Sequence, residues 1–315
     1  MKEHMRIFSG SSSPELATTI AERLGVTLGK IKLSQFKSGE TYVHYEETIR
    51  NMDVFLVQSL SHPINELFVE LLVMIDAAKR ASARTINIIV PYYGYARQER
   101  KSAPREPISA KMVADVLTTV GADRVITIDL HASAIQGFFN IPVDHLTALD
   151  LISGYLRNQS IEDAVVVSPD AGRAYMAEKL ANRLDSPFAM MIKKRPAHNQ
   201  SVITHVIGDV EGKTPIIIED LIDTGTTIVN VVESLKERGA HDAIVCATHG
   251  LFSGEALKRL DHPAIRELVV TDSISLPSLR PDRLTVLSVA PMLAHAVRII
   301  VEGGSIATMF SDAGI

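Results

Sequence analysis

Cysteine is nearly absent, since Cys246 stands alone in 315 residues. A lone cysteine excludes an intrachain disulfide framework and points to a reducing, cytoplasmic setting. It sits in the apolar run AIVCA at 243–247, where a buried, inert thiol is expected. Long apolar stretches are missing too. No run reaches the roughly 18 uninterrupted apolar residues of a membrane helix, and the opening MKEHMRIFSG has no apolar core ahead of a cleavage site. A soluble, unexported chain with no membrane partner is expected. Nor is there a basic excess: 32 Lys and Arg against 37 Asp and Glu give a formal net charge of -5. That balance excludes the electrostatic footprint of a nucleic-acid binder. Neither GxxxxGK[ST] nor GxGxxG occurs, so the chain has no P-loop and no dinucleotide loop.

What is present is an ordinary globular composition, 46% hydrophobic and 22% charged. The length allows two domains, each with its own core. Apolar strand-like runs at 6–9, 54–58, 85–91, 124–130, 164–168, 214–219, 243–247, 267–271 and 284–288 alternate with helical stripes at 63–82, 109–120 and 173–184. This alternation predicts an α/β fold with parallel sheets flanked by helices. The polar, proline-containing stretch NIPVDHLTA at 140–148 is the expected domain break, and the densely charged RQERKSAPREP at 97–107 is an expected mobile loop.

The most informative stretch is IIIEDLIDTGTTIVN at 216–230. It reads as a strand, an acidic edge, a small polar loop and a helix. Backbone N–H groups at the helix start and the hydroxyls of Thr224, Thr226 and Thr227 can donate to phosphate oxygens, while Gly225 permits close backbone approach. Glu219 and Asp220 can accept from ribose hydroxyls or approach a cation. A simple capped turn accounts for one Asp or Thr here, but not for two acids and three threonines together.

Other candidates cluster at strand ends. ITIDLH at 126–131 puts Asp129 and His131 at the carboxyl end of an apolar run, on one face of an extended segment, where ligands meet open α/β sheets. An imidazole there can ligate a cation or hydrogen-bond a phosphate. VVVSPDAG at 165–172 makes Asp170 a candidate metal or ribose ligand, and Lys193, Lys194 and Arg195 are expected to project cations beyond the apolar run at 188–192. Anion donors, carboxylates for Mg²⁺ and cations are what phosphoryl chemistry requires.

The 216–230 loop resembles that of the phosphoribosyltransferases. With FSGSSSPEL at 8–16, FKSGE at 36–40, the run at 77–100, REPISA at 105–110, IDLHASAIQGFFNIPVD at 128–144, SPD at 168–170 and KKRP at 193–196, the chain resembles the phosphate-activated ribose-phosphate pyrophosphokinase family over essentially its whole length. The resemblance implies two tandem phosphoribosyltransferase-like domains, 1–145 on the ATP side and 146–300 carrying the ribose 5-phosphate loop, with 301–315 packing back on the first. It implies transfer of the β,γ-diphosphoryl group of ATP to O1 of ribose 5-phosphate, giving 5-phosphoribosyl 1-diphosphate and AMP. It further implies Mg²⁺, inorganic phosphate as activator, and a homohexamer built as a trimer of dimers. Carried over by position, Glu219, Asp220, Asp223, Thr224, Gly225, Thr226 and Thr227 hold ribose 5-phosphate, and His131 and Asp170 hold Mg²⁺. Phe36 and Glu40 meet adenine from a neighbouring subunit, Arg97 and Gln98 hold ATP, and Lys193 and Arg195 stabilise the transition state. Ser305 and Phe310 match an allosteric site.

Several positions depart from the family pattern. Glu219 replaces an aspartate, Ser38 an aspartate facing adenine, Arg173 a second glycine and Met176 an arginine; Ala103 and Ala307 stand for an arginine and a serine. These departures leave open a non-catalytic regulatory subunit assembled with a paralogous synthetase. The loop alone would also suit a phosphoribosyltransferase, which has no need of the charged RQER stretch.

Overall fold

The computed structural model describes residues 4–197, 200–277 and 280–309, with the backbone alone for 193–197 and 200–204. The chain divides into two compact units, residues 1–147 with 273–275 and 288–315, and residues 148–272 with 276–287.

In the first unit the chain runs β1 (Met5–Ser9), α1 (Pro14–Leu24), β2 (Ile31–Gln35), β3 (Thr41–Tyr45), β4 (Asp53–Val57), α2 (Ile64–Arg80), β5 (Thr85–Ile89), α3 (Ser109–Val120), β6 (Arg124–Ile128) and β7 (Val143–Leu146). Among the described residues these strands make a five-stranded sheet in the order β1-β4-β5-β6-β7, parallel throughout, and β2 and β3 form a separate antiparallel hairpin. Alternation along each strand sorts the core by face. Val54, Leu56, Ile86 and Ile88 join the cluster containing Leu71, Met74 and Ile75 of α2 and Val113 and Leu117 of α3. Phe55, Val57 and Ile89 are equally buried but lie outside that cluster. Each such side chain contributes about 1.5–3 kcal/mol when fully buried.

The second unit contains α4 (Leu149–Arg157), β8 (Ala164–Ser168), α5 (Ala174–Leu184), β9 (Phe188–Ala197), β10 (Gln200–Ile207), β11 (Thr214–Ile222), α6 (Thr226–Lys236), β12 (Ala243–Gly250), α7 (Ala256–Leu260), β13 (Ile265–Thr271) and β14 (Leu284–Leu287). Its seven described strands follow the order β10-β9-β8-β11-β12-β13-β14, parallel except for β10 against β9. Val165, Val167, Ile217 and Val245 form a core with α6 and α7. Helix α5 packs on β8, β9 and β11 with its buried residues outside that cluster, so the helices leaving β8 and β11 cover opposite faces.

The last helix, α8 (Ala290–Glu302), packs on α1 and belongs to the first unit. Residues up to 300 are expected in the second domain on sequence grounds, and the structure differs for a physical reason. The apolar face of α8, with Leu293, Ala294 and Val297, is buried, as are Leu16, Ile20 and Leu24 of its partner α1. The stretch 140–148, read as a polar break, also holds an edge strand, β7, paired with β6. Its mixed composition concealed it because an edge strand needs few apolar residues.

Among the described residues no helix is long and apolar enough to cross a membrane. Cys246 is fully buried on β12, and burial, followed by the nearby charge of Glu267, raises its thiol well above the usual range. A raised pKa keeps the thiol protonated at pH 8, and burial blocks reagent access. Iodoacetamide at pH 8 should therefore leave the native protein unmodified by intact mass and add one carbamidomethyl group after denaturation.

Candidate active site

In an open parallel sheet ligands meet the carboxyl edge where the winding direction reverses. In the second unit that point lies between β8 and β11. The chain leaves β8 towards β9 on one side, and β11 leads to β12 on the other. The ends of these two strands carry Asp170 and the 219–227 loop.

Beyond β8, Ser168 Oγ donates to the Asp170 carbonyl at 2.7 Å and the Gly172 N–H donates to Asp170 Oδ1 at 3.0 Å, fixing Asp170 at the head of a 3-10 turn, Ala171–Arg173. Arg173 ends that turn and faces the acids on β11. Its Nε lies 3.4 Å from Glu219 Oε2 and its Nη2 3.0 Å from Asp220 Oδ1. All three side chains are largely withdrawn from solvent, at 15%, 12% and 3% exposure, so the attraction between them is screened less than in a surface ion pair.

After the acids the chain turns through Asp223 and Thr224 into Gly225, which caps α6 at φ 75°, the left-handed region. A Cβ on Gly225 would also meet Leu260 Cγ at 2.9 Å. The cap makes no side-chain hydrogen bond to the first turn of α6. Thr224, Thr226 and Thr227 are exposed around that helix start, with Thr224 Oγ1 3.4 Å from Thr226 Oγ1. First-turn N–H groups, which a helix leaves without an intrahelical partner, the positive end of the helix dipole and clustered hydroxyls together suit an anion. From α7, Arg259 donates through Nη1 to the Thr224 carbonyl and so braces the loop.

The candidates in the first unit lie in three places. Phe36 and Glu40 occupy the tip of the β2–β3 hairpin, closed by the Phe36 N–H donating to the Glu40 carbonyl at 2.9 Å; Ser38 Oγ donates to Glu40 Oε2 at 2.6 Å. Phe36 is 58% exposed and touches Tyr42 edge-on with ring centroids 5.7 Å apart, an unusual position for a large apolar ring. Arg97 and Gln98 are exposed beyond β5, and Gln98 is tied to the start of α3 by the Ser109 hydroxyl. The following loop is exposed from 101 to 108 and held by Glu106, whose Oε2 accepts from the Ser102 and Ala103 N–H groups at 2.7 and 2.8 Å. His131 is half-buried beyond β6. It does not share an extended face with Asp129, as alternation suggested: Asp129 has φ 38°, so the strand ends at Ile128. The bend is secured from β7, where the Leu146 carbonyl accepts from Asp129 N–H at 3.0 Å and His145 Nε2 from Leu130 N–H at 2.9 Å.

Lys193 and Arg195 fall on β9, and their side chains lie outside the described residues, as does Phe310. Ser305 lies just ahead of a short 3-10 turn, Ile306–Met309. Sequence reasoning missed Arg259 and the partners of Arg173, since neither contact has a local spacing to reveal it.

The chain matches the N-terminal domain of ribose phosphate pyrophosphokinase over residues 5–121 and the phosphoribosyl synthetase-associated domain over residues 184–311. It is 49% identical over 311 residues to the ribose-phosphate pyrophosphokinase of Fusobacterium nucleatum, covering 98% of each chain. Identity to the corresponding Bacillus subtilis protein is 48% over 310 residues, again covering 98% of each. The crystal structure of phosphoribosylpyrophosphate synthetase from Mycobacterium smegmatis superposes with a TM-score of 0.91 at 45% identity, covering 96% of this chain and 100% of that one. Two mainly parallel sheets flanked by helices, with an acid and threonine loop at a switch point, define an α/β protein of phosphoribosyltransferase-like class. The chain belongs to the ribose-phosphate pyrophosphokinase family. It is an enzyme, a ribose-phosphate diphosphokinase.

Replacing Gly225 by alanine forces a side chain into the left-handed region and against Leu260. The expected cost is about 1–3 kcal/mol, read as a lower melting temperature together with a raised KM for ribose 5-phosphate.

Proposed function

We propose that the 219–227 loop holds ribose 5-phosphate and that the β,γ-diphosphoryl group of ATP is transferred to its O1. The observation that carries this reading is the α6 start, where a helix N-terminus without a side-chain cap, ringed by exposed threonines, lies beside a withdrawn acid pair. The 5-phosphate accepts from the N–H groups and from Thr224, Thr226 and Thr227, with Asp223 bordering the loop, while Glu219 and Asp220 accept from the ribose hydroxyls. Phe36 and Glu40 meet the adenine of a neighbouring subunit, and Arg97 and Gln98 hold the ATP phosphates.

Oxygen O1 attacks the β-phosphorus in line. The bond from that phosphorus to the oxygen bridging it to the α-phosphate breaks, AMP departs with the electron pair, and the O1 proton passes to water. Such a displacement asks for positioning and charge neutralisation more than for a strong base. Lys193 and Arg195 supply positive charge to the transferring oxygens.

Among the described residues no group of three or more His, Cys, Asp or Glu forms a ready-made metal cage. The Asp170 carboxylate fits Mg²⁺, which keeps several waters and binds through one or two carboxylates plus substrate phosphates rather than in a protein cage. His131 and Asp170 are the residues that would hold it, and when bound it neutralises phosphate charge. Inorganic phosphate as activator, a homohexamer of dimers able to include a paralogous chain, and a cytoplasmic location complete the reading.

The test is a phosphorus NMR time course with ribose 5-phosphate, Mg-ATP and inorganic phosphate, run beside Lys193→Ala. AMP and a C1-linked diphosphate should appear, with kcat in the variant lower by about 10²–10³ or more and its melting curve unchanged. An unchanged rate removes Lys193 from the mechanism, and no turnover by a well-folded wild-type hexamer favours the regulatory-subunit reading. A second expectation concerns Ser305, Phe310 and the intervening Ala307, which departs from the serine that the family resemblance implies. ADP should inhibit weakly while phosphate still activates, and a normal sigmoidal ADP response would overturn it.

A further inference from the structure

Glu219 and Asp220 are adjacent carboxylates, 9% and 2% exposed as residues. Two withdrawn like charges repel unless a cation answers them. In metal-assisted sites that cation is often a divalent ion, which leaves when chelated. Here a side chain provides it. The Arg173 guanidinium reaches Glu219 through Nε at 3.4 Å and Asp220 through Nη2 at 3.0 Å. Its backbone, at φ -102° and ψ -1°, is unstrained for a residue with a side chain. A guanidinium is planar, permanently charged and suited to gripping two acids at once. A carboxylate offers roughly four acceptor positions, so receiving one guanidinium N–H does not exhaust it.

We propose that Arg173 is a positioning residue, a built-in countercharge for the Glu219–Asp220 pair that lets the loop bind the diol of ribose 5-phosphate without a divalent cation at that pair. This rests on the reading that ribose 5-phosphate sits in the 219–227 loop. The assignment separates two duties within one turn. The Arg173 N–H donates to the Asp170 carbonyl at 3.2 Å, so the residue that would hold Mg²⁺ for the nucleotide and the residue that serves the sugar acids are braced together but act on different ligands. Sugar binding and nucleotide-metal binding then become separable steps.

The experiment is titration calorimetry of ribose 5-phosphate without nucleotide, in EDTA and in Mg²⁺, on the wild type, Arg173→Gly, Arg173→Gln, Arg173→Lys and Thr226→Ala. The wild-type Kd should change by less than about threefold between the two conditions. Arg173→Gly should bind about tenfold or more weakly in EDTA, as expected for loss of a charge-assisted contact, and recover in Mg²⁺; Arg173→Lys should lie nearer the wild type. A melting curve accompanies each variant, and Arg173→Gln carries the test if the glycine variant does not fold. Wild-type affinity for Arg173→Gly in EDTA, or equal weakening with and without Mg²⁺, overturns the countercharge alone, because Thr226→Ala still reports binding in the loop. No wild-type binding, or an unaffected Thr226→Ala, overturns both readings.

Discussion

A parallel strand can end on only one edge of its sheet, and the chemistry of this chain depends on that constraint. In the second unit β8 and β11 are neighbours whose following helices cover opposite faces, so the space beyond their ends is not roofed by a crossover. Asp170, Arg173 and the 219–227 loop converge there although they lie far apart in sequence. The first unit repeats the principle with His131 beyond β6 and Arg97 beyond β5.

Placing acids at such an edge carries an electrostatic demand. Glu219 and Asp220 continue the buried register of β11, with Glu219 paired to Ala247 of β12, so their backbones are committed to the sheet before their side chains do anything. Solvent is largely excluded, and the local countercharge must come from the protein. Arg173 sits one turn past the neighbouring strand, close enough to provide it. The loop beyond is shaped from outside, by Leu260 against Gly225 and Arg259 on the Thr224 carbonyl.

Much of this was legible from periodicity. Buried parallel strands such as Ile216, Ile217 and Ile218 read as continuous apolar runs because both faces are covered, and the acid and threonine loop announced itself by composition. The β2–β3 hairpin was less visible, since its alternate residues are only half-buried. Edge strand β7 hid inside a polar stretch, and the bend at Asp129 overrode the alternation expected there. The partners of Arg173 could not be read at all. An arginine in place of a glycine looks like a defect until the fold carries β11 beside it.

The position of α8 has a consequence for how the chain matures. Leu16, Ile20 and Leu24 on α1 are buried in the first unit, whose helix α8 is encoded after nearly all of the second. During synthesis the N-terminal half therefore emerges with the side of α1 that α8 packs on uncovered and must wait for residues 290–302 before its layer is closed. This long-range closure raises contact order and gives the half-made chain an adhesive face. Premature termination anywhere ahead of α8 leaves that face without its cover, however well the second unit has folded.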